Sequence, residues 1–167
     1  MIPNPPKTFA RPDLEAAGFI GWASWHELLE GGFDGIPNGP ACYVVFRVST
    51  EFPEFIDESC GGHFKGKNPT VTTATLTDNW INRANVVYVG KANNARRRIR
   101  EFALFGTGKP VGHRGGRFIW QLPDSTSLLV AWHPIDWEES ARAYERRLLE
   151  AFALANSGTR PFANLSG

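Results

Sequence analysis

The apolar positions change period along the chain, and each change marks an element. From Asp13 to Gly32 the residues Leu14, Ala17, Phe19, Ile20, Trp22, Trp25, Leu28 and Leu29 recur near helical spacing, broken at Gly21 and closed by Gly31-Gly32, which predicts one or two short helices. The turn residues Asp34 to Pro40 give way to ACYVVFRVS, Ala41 to Ser49, the strongest strand signal in the sequence. Alternation along it puts Tyr43, Val45 and Arg47 on one face. Val86 to Val89 is a second strand, rich in β-branched residues and ended by Gly90; from Ala95 the residues Ala95, Ile99, Phe102 and Phe105 return at helical spacing. Phe118 to Leu122 and Leu128 to Trp132 predict two further strands. A last helix follows Asp136 as its cap, with Ala141, Tyr144, Leu148, Ala151, Phe152 and Ala155 as its stripe and Gly158 just past its end. This pattern predicts an α/β (α+β) domain: a small mixed or antiparallel central β-sheet flanked by helices.

The connections add detail. Residues 1–12 hold four prolines and little to bury, and predict an extended arm before a single domain, 13–167. Residues 50–84 are too long for a structureless loop and predict an ordered insertion: a loop from Glu51 to Pro69, an alternating β-like run from Thr70 to Leu76 and a helical piece around Trp80-Ile81. Within it, Gly61 to Lys67 is polar and basic and reads as solvated loop. Gly106 to Arg117 combines glycines with Lys109, His113, Arg114 and Arg117, a mobile cationic loop whose bare backbone suits phosphates.

Composition narrows the class. With 167 residues, 42% hydrophobic and 13% aromatic, the chain is an ordered globule with a core of its own. A formal charge of +1 announces no nucleic-acid partner, so any such reading rests on local clustering. Cys42 and Cys60 form no Cys-x-x-Cys pair and read as free thiols of a reducing compartment; Cys60 with His63 falls short of the four ligands of structural zinc. No signal-peptide core and no membrane-spanning window is present, so the expectation is a cytoplasmic protein with no membrane partner. Oligomeric state is open.

Charge does cluster in one place. Lys91, Arg96, Arg97, Arg98 and Arg100 fall within ten residues, directly after the strand bearing Tyr88 and the turn Gly90 to Asn94. The run Tyr88-Val89-Gly90-Lys91-Ala92-Asn93-Asn94, with Arg98 eight positions after the glycine, resembles the second half of the GIY-YIG nuclease signature, in the version found in the N-terminal domain of bacterial excision-repair nucleases. Ala41-Cys42-Tyr43 stands where that family has Gly-Ile-Tyr or Gly-Val-Tyr; the tyrosine is kept and the two residues before it are replaced. The family's metal-binding glutamate, on a helix after the sheet, matches Glu145 in Ala143-Tyr144-Glu145-Arg146-Arg147. Its late proline and asparagine match Pro161 and Asn164. The resemblance spans Pro40 to Asn164, with the 50–84 insertion unmatched, and points to a small stand-alone bacterial member.

The resemblance implies a divalent-metal-dependent endonuclease that hydrolyses DNA phosphodiester bonds, with DNA as partner, branched and single-stranded forms among the candidates. Glu145 would bind Mg²⁺ or Mn²⁺, hard ions at home with one carboxylate plus water and phosphate. Arg98 would neutralise the phosphate, Tyr43 and Tyr88 would flank the attacking water as base and positioner in an order left open, and Asn164 would hold the site together. The family often carries a histidine four residues after the arginine; here that position is Phe102, and His113 is the candidate replacement. Lys91, Arg96, Arg97, Arg100, Arg114 and Arg117 are the candidate nucleic-acid contacts. The altered first motif leaves a second reading, a catalytically inactive nucleic-acid-binding module on the same fold.

Overall fold

The computed structural model describes residues 2–165, and its centre is a four-stranded antiparallel sheet with helices on both faces. The elements are α1 (Arg11–Ala17), β1 (Ile20–Ser24), α2 (Trp25–Gly31), β2 (Ala41–Phe46), α3 (Thr73–Asn79), β3 (Val86–Ala92), α4 (Ala95–Gly106), β4 (Leu129–Pro134) and α5 (Ala141–Ala155), with 3₁₀ turns at Phe64–Gly66, Arg114–Gln121 and Ser125–Ser127. Strand order is β1-β4-β2-β3. Every residue of β2 is buried, because the strand is central and both its faces are covered. Tyr43 and Val45 face a core built from α2, α4 and the Arg114–Gln121 turn, while Cys42, Val44 and Phe46 face α1 and α5. Among the described residues no helix is long and apolar enough to cross a membrane.

Several elements differ from the pattern-based expectation. Ile20–Ser24 is a strand: Gly21 and Trp22 take positive φ, and Ser24 with Glu27 closes a capping box that starts the helix only at Trp25. The Thr70–Leu76 run is not β-like: Thr72 accepts from the Thr75 N–H and caps α3, which buries Leu76. Phe118–Leu122 is not a strand but mostly 3₁₀ turn, every residue of it buried. There Gln121 supplies the strand-like bonds through its side chain, donating to Ile56 O at 3.1 Å and Val71 O at 3.0 Å and accepting from Val71 N at 2.9 Å. α5 is capped by Ser140 rather than Asp136, and Glu139 instead pairs with Arg147, Oε1 to Nη2 at 2.7 Å. The N-terminal arm is tied down: Phe9 packs edge-on against Phe152 at 5.2 Å, and Arg147 donates to Pro3 O at 3.0 Å.

Candidate active site

The site begins with register. β2 and β3 pair so that Tyr43 lies opposite Gly90 and Val45 opposite Tyr88; between Val45 and Phe46 the register shifts, a bulge that absorbs Val87. Opposed residues share a face, so Tyr43 and Tyr88 are diagonal neighbours with ring centroids 6.0 Å apart. A Cβ on residue 90 would collide with the Tyr43 ring. The glycine of the Tyr-Val-Gly run is therefore required by the tyrosine across from it. β3 also continues through Gly90 to Ala92, carrying Lys91 on the opposite face, toward α5.

His113 completes the pair. It is fully buried, stacks on Phe102 at 3.7 Å with an interplanar angle of 13°, and its Nε2 lies 3.1 Å from the Tyr43 hydroxyl, the donor being set by the imidazole tautomer. Its Nδ1 has no hydrogen-bond partner among the described residues. The loop from Gly106 to Arg117 is thus anchored where mobility is expected: His113 is inserted into the core, Gly112 O accepts from Arg98 at 2.6 Å, and Gly62 packs so closely on the Lys109 carbonyl that only glycine fits there. Gly61 and Gly62, expected as solvated loop, are buried under α4. The imidazole that the loop inserts lies flat on the ring of Phe102. Phe102 was visible in the sequence; the long-range insertion was not.

α4 and α5 bring the charged groups. Arg98, half-exposed, bonds Gly112 O and Glu101 Oε2 through Nη1 alone, which leaves the rest of its fork to face a cleft of about 530 Å³ lined also by Lys91, Asn94, Arg97 and Arg142. Glu145 sits on α5 with Lys91 Nζ 3.9 Å from its Oε1, and lines an adjoining cleft of about 410 Å³. Burial raises its carboxyl pKa against the pull of Lys91, Arg142 and Arg160. Asn164 lies at the free edge of β3: its Oδ1 accepts from Val89 N and its Nδ2 donates to Val89 O, both at 2.8 Å, while Ala163 N donates to Val87 O at 2.8 Å. The C-terminal segment thereby blunts the sheet edge and holds the strand that carries Tyr88.

The two phenols differ. Both pKa values are raised, first by burial. Tyr43 is pushed well above its usual value, with Tyr88 next to it adding to the rise and Arg98 opposing it. Tyr88 is partly exposed, and the Arg98 charge and then the Tyr43 hydroxyl pull its pKa back down. Arg98 therefore acts on both, but burial outweighs it. His113 goes the other way, to about 3, because burial and then Arg98 disfavour its cation.

Not every expected cation is free for a ligand. Arg96 donates to Ile36 O at 2.8 Å and Asp34 O at 2.9 Å, pinning the turn before β2. Arg114 donates to Lys67 O and Asn68 O. Arg97 is exposed beside Glu101, and Arg100 is exposed. Arg117 lies away from the phenols, in a third cleft. The sequence reading missed Arg47, buried against Asp124 at 2.9 Å and donating to Ser49 O and Glu51 O; its role is to fasten the insertion to β2.

Compared with known proteins, the chain matches no family model, no curated protein and no solved structure. The functional argument therefore rests on the residues and their geometry.

Proposed function

We propose that the protein is a divalent-metal-dependent endonuclease of GIY-YIG type that hydrolyses DNA phosphodiester bonds. The observation that carries this reading is a pair of tyrosines on one sheet face, with Arg98 on α4 and Glu145 on α5 lining two neighbouring clefts that share Arg142. Glu145 fits as the holder of Mg²⁺ or Mn²⁺: a half-buried carboxylate at a cleft wall with one loose cation partner. Among the described residues no group of three His, Cys, Asp or Glu side chains surrounds it, so the ion would take one protein ligand and complete its shell with water and phosphate. When bound, it supplies positive charge at the phosphate.

The chain's own residues divide the remaining work. Arg98 offers its unused donors to the phosphate, where planar bidentate contact is favoured. Tyr88, the more accessible phenol, first releases its own proton to solvent, a loss that Arg98 favours against burial, and as the phenolate takes a proton from the attacking water. Tyr43 stands behind it and stabilises the phenolate oxygen, and neutral His113 fixes the Tyr43 hydroxyl from the other side. Asn164 keeps β3 in place. The unpaired thiols of Cys42 and Cys60 suit a reducing, cytoplasmic setting.

One observation favours the rival reading of an inactive DNA-binding module: Glu145 is partnered by Lys91, and burial makes it a reluctant anion. Single-turnover cleavage separates the two. Tyr88→Phe is expected to slow cutting on the order of 10²–10⁴-fold, the range of general base catalysis, and Tyr43→Phe to slow it less. Equal, undiminished rates in both variants would remove the phenols from the mechanism.

A further inference from the structure

Beyond the cleft at Arg98 and the cleft at Glu145 lies a third, of about 840 Å³, between the end of α3 and the C-terminal turn. The three are neighbours. Arg142 lines both the first and the second, and Arg160 lines both the second and the third. Arginines predominate along the three clefts, although Glu101, Glu145, Glu150 and Asp78 also line them and Glu101 pairs with both Arg97 and Arg98.

The third cleft differs in chemistry from the other two. Its cations are Arg117 and Arg160, its walls include Trp80 and Phe118, and its acidic residue is Asp78. Trp80 and Phe118 both pack around Phe162; Phe118 is almost wholly buried and the Arg47 guanidinium lies 5.2 Å over the Trp80 ring, so the wall is a fixed apolar boundary rather than an open stacking face. Trp80 Nε1 and Arg117 Nε are buried without an acceptor among the described residues. Arg117 is also crowded: burial and the neighbouring Arg114 lower its pKa, so an anion beside it is favoured. Guanidinium groups beside an apolar wall, in a concave site of ligand size, match a phosphate with its base seated edge-on against that wall. A duplex keeps its bases stacked inside and offers a protein surface mainly phosphates and groove edges. An unpaired strand can place a base in such a cleft.

We propose that the cleft between α3 and the C-terminal turn is a subsite for an unpaired nucleotide of the substrate strand, neighbouring the phosphate at Glu145. This rests on the reading of Glu145 as the cutting position, and it assigns a role to the 50–84 insertion, which contributes Asp78, Trp80 and Ile81 to the wall. The enzyme then acts on single strands, or on the unpaired flap of a branched DNA, rather than on continuous duplex.

The test is binding in chelator, where no cutting occurs, to a labelled twelve-nucleotide single strand and to a blunt duplex of the same length. Arg117→Gln is expected to weaken the single strand about tenfold and to lower the slope of log affinity against log salt by about 1, with a smaller effect on the blunt duplex. Asp78→Asn, at an exposed position with no recorded ion pair, is expected to do the reverse and tighten the single strand. Thermal melting of both variants guards against misfolding, and the opposite sign keeps the proposal testable if Arg117→Gln fails to fold. Unchanged single-strand affinity in both variants, or duplex bound as tightly as single strand, would overturn the subsite. Cleavage by the wild-type protein is measured separately: binding that follows the predicted signs without any cutting keeps the subsite and removes the nuclease, whereas cutting without these effects does the opposite.

Discussion

His113 shows what a single buried group imposes. Its pKa falls from 6.5 to about 3 in the fold, so between those values the unfolded chain holds a proton that the folded chain does not. Stability contributed by the neutral imidazole is complete above pH 6.5 and declines as pH falls toward 3, by an amount of the order of 4 kcal/mol. His113→Gln should flatten this part of the curve: unfolding free energies measured by denaturant at pH 6.5 and pH 4 should differ less in the variant than in the wild type. Parallel curves would mean that the imidazole is not held neutral. The same burial predicts that activity shows no inflection near pH 6.5 from His113. Tyr43, Tyr88, Arg98, Glu145 and Asn164 stand out in the sequence only through the resemblance to the GIY-YIG signature; composition and period alone single out none of them. The burial of His113 was not legible at all, since glycine-rich, cationic sequence reads as solvated loop until its contacts with Phe102 and Gly62 are known.

At the scale of elements, the bulge at Val87 and the Asn164 clamp decide where Tyr88 points. Asn164 acts as a short piece of strand, matching both the donor and the acceptor of Val89. Asn164→Ala deletes two hydrogen bonds at a partly buried edge, which costs about 2 kcal/mol and lowers the melting temperature by roughly 4–8 °C. Calorimetry checks this, and a shift under one degree would show that the C-terminal segment is held by other contacts. β2, α4 and α5 were readable from apolar period alone. β1, α3 and the Phe118–Leu122 segment were not, for different reasons. In β1 the apolar residues happen to fit helical spacing, although the Ser24–Glu27 capping box marks the true helix start. In α3 the threonines carry β-propensity that a single cap and the burial of Leu76 override. In Phe118–Leu122 the ladder is replaced by the side chain of Gln121, which no period encodes.

On the scale of the whole molecule, charge is nearly balanced but unevenly placed: arginines predominate in the three clefts around Glu145, and the insertion is tied down by Arg47, which pairs with Asp124 and donates to Glu51 O. The α+β class, with an antiparallel sheet between helices, was evident from the order of apolar runs; the way in which the insertion packs was not, because it depends on buried pairings far apart in sequence. The central claim is that this arrangement cuts phosphodiester bonds with the help of a divalent ion at Glu145. The most direct measurement is incubation of the purified protein with supercoiled plasmid and with branched or single-stranded DNA, in Mg²⁺, in Mn²⁺ and in chelator, beside Glu145→Ala. Metal-dependent cutting that chelator and the substitution both abolish, with the melting temperature of the variant preserved, is the predicted result. Cutting that survives the loss of Glu145, or DNA binding with no cutting of any substrate in either metal, would contradict it.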